Sequence, residues 1–188
     1  MNTVGNQAIT CSKLDYVRDI IRNVPDFPKP GILFKDISTL LSDPKAFAIT
    51  VDSLVEHFVG ARIDAIVGIE SRGFIFGAAL AHRLNVSFVP VRKPGKLPAK
   101  TDRVAYSLEY GQAELEMHVD ALSKGARVVI IDDLLATGGT AAAAAQLVKR
   151  RGAEVASFAF VVELEFLKGR EKLGEIPVYS LVSYGPDE

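Results

Sequence analysis

The stretch from Arg127 to Thr140, R-V-V-I-I-D-D-L-L-A-T-G-G-T, constrains the fold of this chain more than any other. Residues 128–131 are four consecutive β-branched residues. Such a run lacks alternation and predicts a strand buried on both faces of a parallel sheet. The run stops at Asp132 and Asp133, and a glycine turn then leads into residues 141–150, which favour a helix. This order of strand, acidic pair, turn and helix predicts an α/β unit that binds a ligand.

The turn after the acidic pair predicts a phosphate-binding nest. It comprises Ala136, Thr137, Gly138, Gly139 and Thr140. Glycines let the backbone approach a ligand closely, and successive N–H groups at a helix N-terminus attract anions. The lysine of the G-x-x-x-x-G-K-[ST] phosphate loop is missing, and no G-x-G-x-x-G follows a strand. An ordinary helix-capping turn is the alternative, but capping needs only some of these groups.

Asp132 and Asp133 need a different explanation, because carboxylates repel phosphate. We expect them to serve paired ribose hydroxyls or water on a Mg²⁺ ion. The sequence therefore predicts a sugar site directly beside a phosphate site.

The motif V-V-I-I-D-D-L-L-A-T-G-G-T resembles the phosphoribosyl-diphosphate motif of the type I phosphoribosyltransferase family, and its D-D-L-L-A-T-G-G-T form is similar to that of the adenine-specific members. The resemblance spans about residues 14 to 183. It implies an α/β fold with a mainly parallel twisted sheet flanked by helices, an N-terminal hood and an antiparallel flexible hairpin. It further implies transfer of a phosphoribosyl group from 5-phosphoribosyl 1-diphosphate to adenine, with Mg²⁺ as cofactor, in a homodimer.

Length and composition predict one domain over residues 1–188, because a chain of 188 residues that is 48% hydrophobic can bury one core. Residues at about 1–11 are expected to be a loose tail. The net charge of −1 argues against a general binder of nucleic acid or of membrane surfaces. No apolar run approaches the ~18 residues of a membrane span, and the N-terminus lacks signal-peptide features. We therefore expect a cytoplasmic protein without nucleic-acid or membrane partners.

Residues 24–37 differ from the rest of the chain. Three prolines and a glycine at 24–31 exclude a helix and favour a stiff loop, followed by a short extended piece at 32–37. A plain connector is one interpretation. A platform for a flat base is the other, because Phe27 and Phe34 offer rings for stacking.

The pattern P-D-F-P-x-P-G-I-x-F-x-D-I in this segment resembles the family's hood. The resemblance implies that Phe34 stacks on adenine and that backbone groups of Leu33 and Lys35 read the edge of the base. It also places Leu134, within the central motif, among the adenine contacts.

A second predicted strand, 63–69, delivers Glu70, Ser71 and Arg72 to the head of a small-residue helix at 74–84. A guanidinium beside helix amides can bind a diphosphate through paired hydrogen bonds. Taken alone, Arg72 would more simply pair with Glu70 at the surface, but a second turn of the same build favours diphosphate binding. G-x-E-S-R-G-F resembles the family's diphosphate loop, which is often held by a non-proline cis peptide.

Residues 92–100 follow a predicted strand at 86–91 and carry four cations among prolines and a glycine. A solvated loop is the default interpretation of such a stretch. The alternative is a mobile lid in which Arg92, Lys93 and Lys96 neutralise the diphosphate of the substrate.

Alternating apolar residues at 104–110 and 113–119 predict a β-hairpin. S-L-E-Y-G-x-x-x-L-E resembles the family's flexible loop, which implies that Glu109 acts as general acid/base on the purine and that Tyr110 closes over the phosphoribosyl diphosphate. From the residues alone, Glu109 is an outward-facing hairpin carboxylate.

The remaining patterns complete an alternation of helices and strands, which predicts an α/β domain with a mainly parallel sheet. Helices are expected after Ser12 and after Asp43-Pro44, strands at 154–162 and 177–182, and a helical turn at 167–173. The polar turns at 70–73 and 132–140 should face one crevice, since ligands bind beyond the carboxyl ends of parallel strands. Two alternative functions stay open: transfer to another purine base, and non-catalytic sensing of phosphoribosyl diphosphate by a regulator.

Overall fold

The computed structural model describes residues 13–107, 112–186 and 188. The chain divides into two compact units, Met1–Ser53 and Leu54–Glu188. The assignment of residues 1–188 to one domain stays a prediction. The predicted tail at 1–11 and the predicted cap Ser12 lie outside the described residues.

The first unit combines short helices with a small sheet. Its elements are α1 (13–20), β1 (Arg22–Val24), β2 (Phe34–Asp36), α2 (Ser38–Ser42) and the first part of α3 (Pro44–Phe58). β1 and β2 pair in antiparallel fashion, with Val24 opposite Phe34. Val24 was predicted to lie in a loop, and α2 was not predicted, because segments of three to five residues are too short to show a periodicity. α3 begins as predicted, since Asp43 Oδ1 accepts a hydrogen bond of 2.7 Å from the Ala46 N–H.

The second unit is built on a five-stranded parallel sheet. Its elements after α3 are, in chain order, β3 (Ala65–Ile69), α4 (Gly73–Leu84), β4 (Ser87–Val91), β5 (Thr101–Ser107), β6 (Gln112–His118), β7 (Arg127–Leu135), α5 (Gly139–Arg150), β8 (Glu154–Leu164), two 3₁₀ turns (Glu165–Leu167 and Gly169–Leu173) and β9 (Val178–Tyr184). The strand order is β4-β3-β7-β8-β9. β5 and β6 form the separate antiparallel hairpin that was predicted. The predicted mainly parallel sheet with an antiparallel hairpin is confirmed.

The central strand β7 is buried as the apolar run predicts, with residues 128–131 fully inaccessible to solvent. The strand is nevertheless longer than that run, because it continues through the acidic pair to Leu135. β8 is eleven residues long and extends the ladder, so that Leu135 still pairs with Glu163. As a result, Asp132 and Asp133 are held by strand geometry and do not belong to a loop.

Helix α4 begins close to the end of β7. A Cβ on Gly73 would come within 2.7 Å of the Ile131 carbonyl oxygen and 2.9 Å of Asp132 Oδ1. Real Cβ contacts are longer than this, so only glycine permits the approach. The tight packing brings the turn at 70–73 alongside the acidic pair of the neighbouring strand.

Within the part of the chain that the structure describes, no helix is both long enough and apolar enough to cross a membrane.

Candidate active site

The carboxyl ends of β3 and β7 border a cavity of about 330 Å³ in the second unit. It is lined by Glu70, Ser71, Arg72, Lys93, Tyr106, Asp132, Asp133 and Thr140. The two polar turns therefore share one crevice, as the topology argument predicted. Tyr106 was not predicted as a site residue; its hydroxyl lies 3.4 Å from Thr140 Oγ1. Tyr106 connects the hairpin to the start of α5.

A smaller cavity of about 70 Å³ lies in the turn at 136–140, and it shares Asp132 and Thr140 with the larger one. Gly138 is the N-cap of α5 and has a φ of 77°, in the left-handed region that favours glycine. The first N–H groups of a helix have no partner within the helix, so this turn has the donors that an anion requires. Leu134 also lines the small cavity; its assignment to adenine stays a prediction.

Asp132 lines both cavities, and Asp133 lines the larger one. Asp133 is only 4% exposed, and its Oδ2 lies 2.9 Å from Arg72 Nε. Asp132 Oδ1 accepts a hydrogen bond of 2.9 Å from the Asp133 N–H. Burial, followed by the adjacent charge of Asp133, raises the pKa of Asp132 well above its ordinary value. Two neighbouring carboxylates at a cavity favour ligands that donate hydrogen bonds or carry positive charge.

Glu70 links the turn at 70–73 to the basic stretch at 92–100. Its carboxylate accepts hydrogen bonds from Arg92 Nε at 3.1 Å, Arg92 Nη2 at 3.2 Å and the Lys93 N–H at 3.0 Å. Burial opposes ionisation of Glu70, but these bonds outweigh it and the pKa lies below its ordinary value. Taken alone, Arg72 was expected to pair with Glu70; in the structure Glu70 pairs with Arg92, and Arg72 pairs with Asp133. The peptide bond between Glu70 and Ser71 is cis.

Glu116 was not identified from the sequence, yet it anchors the basic stretch. The residue is 1% exposed, and its Oε1 accepts hydrogen bonds from the Lys96 and Leu97 N–H groups at 3.2 and 3.3 Å. Its Oε2 accepts from Thr101 Oγ1 and Arg103 Nε, both at 3.2 Å. Although burial opposes ionisation, the hydrogen bonds outweigh it and the pKa of Glu116 is lowered. The alternation along β6 does not predict this burial, because Glu114 and Glu116 are two residues apart and should share one face of the strand, yet Glu114 is exposed.

The three basic residues that were predicted to form a lid differ in where their side chains lie relative to the 330 Å³ cavity. Lys93 lines the 330 Å³ cavity, and Arg92 faces Glu70. The Lys96 side chain is exposed and does not line that cavity, while its carbonyl oxygen accepts a hydrogen bond of 3.1 Å from Arg92 Nη1. The predicted general acid/base Glu109 and its neighbour Tyr110 lie outside the described residues.

The hood residues form a separate apolar cavity within the first unit. The rings of Phe27 and Phe34 meet edge to face, with centroids 5.1 Å apart. A cavity of about 290 Å³ is lined by these two rings together with Val24 and Asp36. Lys35 is buried and its Nζ donates a hydrogen bond of 2.7 Å to Asn23 Oδ1, whereas Leu33 is 37% exposed. The hood thus has an aromatic wall of the kind that stacks on a flat base.

No group of three or more His, Cys, Asp or Glu side chains that could hold a metal ion is present among residues 13–107, 112–186 and 188. A Mg²⁺ ion commonly takes only one or two carboxylates and completes its octahedron with water and substrate phosphates. Asp132 and Asp133 fit that donor set, because both carboxylates border the cavity and burial, which raises both pKa values, opposes their ionisation in the ligand-free protein.

Comparison with known proteins agrees with this geometry. Residues 39–182 match the phosphoribosyl transferase domain. The chain is 64% identical over 180 residues to the adenine phosphoribosyltransferase of Sorangium cellulosum, which covers 93% of this chain and 90% of that protein. The solved adenine phosphoribosyltransferase of Thermoanaerobacter pseudethanolicus superposes with a TM-score of 0.88 at 53% identity, covering 91% of this chain and 99% of that one.

The yeast relative was solved with a bound base. Adenine phosphoribosyltransferase from Saccharomyces cerevisiae, in complex with an imino-altritol bisphosphate and adenine, superposes with a TM-score of 0.86 at 44% identity, covering 92% of this chain and 99% of that one. Motif, fold, cavity and relatives all agree: the chain belongs to the adenine phosphoribosyltransferase family and has the type I phosphoribosyltransferase fold.

Proposed function

We propose that this chain transfers the 5-phosphoribosyl group from 5-phosphoribosyl 1-diphosphate to adenine and releases AMP and diphosphate. One observation carries the proposal: a single cavity is lined by the acidic pair, by the cations Arg72 and Lys93 and by Thr140 of the glycine turn. A phosphorylated sugar that also carries a diphosphate needs all three kinds of group.

In this proposal the substrate is held at its two ends and at its centre. The N–H groups of the 136–140 turn and its threonine hydroxyls bind the 5′-phosphate at the start of α5. Asp132 and Asp133 accept hydrogen bonds from the ribose hydroxyls. Arg72 and Lys93 bind the diphosphate, with Glu70 and Ser71 shaping that end of the cavity.

Departure of the diphosphate is the step that these cations assist. Displacement at the anomeric carbon passes through an oxocarbenium-like state, in which negative charge grows on the leaving group. Donors placed in advance where charge develops lower the barrier most. Arg72 can donate to the diphosphate while it remains paired with Asp133, because its side chain is 40% exposed at the cavity.

Mg²⁺ belongs to this proposal as the cofactor. When bound, it would neutralise negative charge on the diphosphate. Asp132 and Asp133 would hold it, directly or through water, and their own part is to orient the ribose at the same time.

The remaining assignments concern the base and its proton. The hood residues Leu33, Phe34 and Lys35 are proposed to bind adenine, together with Leu134. Glu109 is proposed to move the purine proton as general acid/base, and Tyr110, Arg92 and Lys96 to close over the phosphoribosyl diphosphate and exclude water.

We also propose a homodimer in the cytoplasm. Light scattering of the purified protein measures the mass directly, and a monomeric mass at working concentration would contradict the dimer.

The test of the proposed function is turnover with phosphoribosyl diphosphate and Mg²⁺ in the presence of adenine, hypoxanthine or xanthine. We expect AMP from adenine and little product from the other two bases. Faster turnover of hypoxanthine or xanthine would assign the chain to another purine. Tight binding of phosphoribosyl diphosphate without turnover of any base would instead indicate a regulator that senses it.

A further inference from the structure

A second loop, residues 168–170, lies against the proposed 5′-phosphate turn, and the proposed reaction does not use it. A Cβ on Gly138 would overlap the carbonyl oxygen of Gly169 and come within 3.1 Å of its carbonyl carbon. A Cβ on Gly169 would in turn overlap the carbonyl oxygen of Ala136 and come within 2.8 Å of Leu135 Cδ1. The two backbones touch from both sides, and each contact requires a glycine.

The contact differs in kind at its two glycines. Position 138 requires glycine for two reasons: the close contact with Gly169, and a φ of 77° that is strained for other residues. Gly169 is not among the glycines with positive φ in the described chain, so its lack of a Cβ serves only the close approach. Because Gly169 has no side chain, its backbone packs directly against the turn at 136–138, and this contact limits how far the turn can move.

An ion pair holds the second loop in place. Arg170 Nε donates a hydrogen bond of 2.6 Å to Glu163 Oε1, and Arg170 Nη2 donates one of 2.6 Å to Glu163 Oε2. Arg170 Nη1 donates to the Val178 carbonyl oxygen at 3.1 Å. Glu163 is only 4% exposed. Burial opposes its ionisation, but the bonds from Arg170 outweigh it and the pKa is lowered. Paired, charge-assisted bonds of this type fix orientation as well as distance.

The pair is also tied to the phosphate turn through the sheet. Glu163, on β8, is the parallel partner of Leu135, the last residue of β7 before the turn. The chain leaves the sheet after β8, and the ion pair between Arg170 and Glu163 holds the following segment against the end of that strand. Gly169, next to Arg170, is thereby set against Ala136 and Gly138.

We propose that Gly169 is a positioning residue for the 5′-phosphate, and that Glu163 and Arg170 hold it there. Its backbone acts as a rigid support behind the 136–138 turn, so that the N–H groups of the turn keep the direction that a phosphate requires. Gly169 touches no substrate in this arrangement. The inference rests on the proposed function, because it takes the 136–140 turn as the phosphate site.

The experiment compares AMP with adenosine, which differ only in the 5′-phosphate, by calorimetric titration. The wild-type chain should bind AMP much more tightly than adenosine. In Gly169→Ala we expect AMP affinity to fall about tenfold or more, as for the loss of a well-aligned bond to a charged group, with adenosine affinity within about twofold of wild type. Gly169→Ala overturns the inference if it keeps the wild-type ratio of the two affinities.

Gly174→Ala is the matched control. Gly174 lies at the end of the same segment with a φ of 66° and has no atom within 4 Å of an added Cβ. The substitution strains the backbone without touching the turn, and the affinity ratio should stay at its wild-type value. An equal loss of AMP binding in Gly174→Ala would contradict the inference, because a general loss of stability would then explain both variants.

A second variant covers the case in which Gly169→Ala does not fold. Arg170→Lys keeps the positive charge but loses the paired hydrogen bonds to Glu163. It should lower the affinity for AMP but not for adenosine, by less than Gly169→Ala does. Arg127→Lys is its control, because Arg127 forms an exposed ion pair of 3.5 Å with Glu154, and this variant should leave both affinities unchanged. An unchanged ratio in Arg170→Lys overturns the inference. Failure of the proposed function itself looks different: wild type would then bind AMP no better than adenosine.

Discussion

Arg72 Nε lies 2.9 Å from Asp133 Oδ2, so the cation proposed to bind the diphosphate is also the partner of a carboxylate proposed to bind ribose. Asp133 is nearly buried, while the Arg72 side chain is 40% exposed. One guanidinium therefore stabilises a buried charge in the free protein and is also exposed at the cavity. The pair thus joins the part of the cavity proposed for ribose to the part proposed for the diphosphate.

Arg72→Ala should lower kcat and also raise the KM for phosphoribosyl diphosphate. The charge on the leaving group grows toward the transition state, so the loss in kcat should be on the order of 10²–10³-fold, as for removal of an oxyanion donor. Steady-state kinetics with adenine in excess measure both constants. Arg83→Ala, on an exposed position late in α4, is the control. A variant with normal kcat and only reduced thermal stability would confine Arg72 to its structural pairing.

Asp132→Asn should stabilise the ligand-free protein while lowering its activity. Folding raises the pKa of Asp132 above its ordinary value of 3.8. A carboxyl with a raised folded pKa contributes stability that is complete below the unfolded pKa and is lost as pH rises through the folded pKa. Asparagine avoids that loss and still accepts the bond from the Asp133 N–H.

The measurement for Asp132→Asn is Tm as a function of pH. The variant should exceed wild type at about pH 7, and the difference should shrink as pH falls toward the ordinary carboxyl range. Asp120→Asn, at an exposed position, should show no such trend. A lower Tm for Asp132→Asn at neutral pH would mean that the ionised carboxylate stabilises the free protein.

Thr137→Asp should raise the KM for phosphoribosyl diphosphate strongly, because it puts a negative charge at the turn proposed to bind the 5′-phosphate. Thr137→Asn is the matched control, since it has nearly the same shape without the charge. We expect the KM of the aspartate variant to exceed that of the asparagine variant by about tenfold or more. If both variants change only the kcat for adenine, the 5′-phosphate binds elsewhere.

Glu116→Gln should loosen the basic stretch at 92–100. The amide cannot accept all four hydrogen bonds that the carboxylate accepts, and a buried donor left without a partner costs about 1–3 kcal/mol. We expect a lower free energy of unfolding, a higher KM for phosphoribosyl diphosphate and faster proteolysis within 92–100. Glu114→Gln, two residues away on β6 and exposed, should change none of the three. Equal behaviour of the two variants would show that Glu116 is not an anchor.

Much of the fold could be predicted from local patterns. The buried run at 128–131, the turn at 136–140 and the helix that follows are encoded by neighbouring residues, since burial on both faces, positive φ and helix propensity each act over a few positions. The same holds for the hairpin and the strand–turn–helix around Arg72. The short helix α2 escaped prediction because its five residues span little more than one helical turn, too few for a pattern to repeat.

The partners of the site residues could not be predicted in this way. Sequence spacing offered Glu70 to Arg72, but packing of α4 against β7 gives Arg72 to Asp133 and Glu70 to Arg92. These side chains come from segments that are far apart in the sequence, and only the register of the sheet decides which charges meet.

The sequence by itself determined which chemical groups are present: a carboxylate pair, a glycine turn with two threonines, and a set of cations. It also determined that these groups follow strands, because strand and turn formation depend on local residues. Tertiary structure alone decided that Glu116 is buried while Glu114 is exposed, and that Gly169 lies against Gly138. The physical reason is that burial, desolvation and close backbone contact depend on what packs against a residue, and residues distant in the chain supply that neighbour.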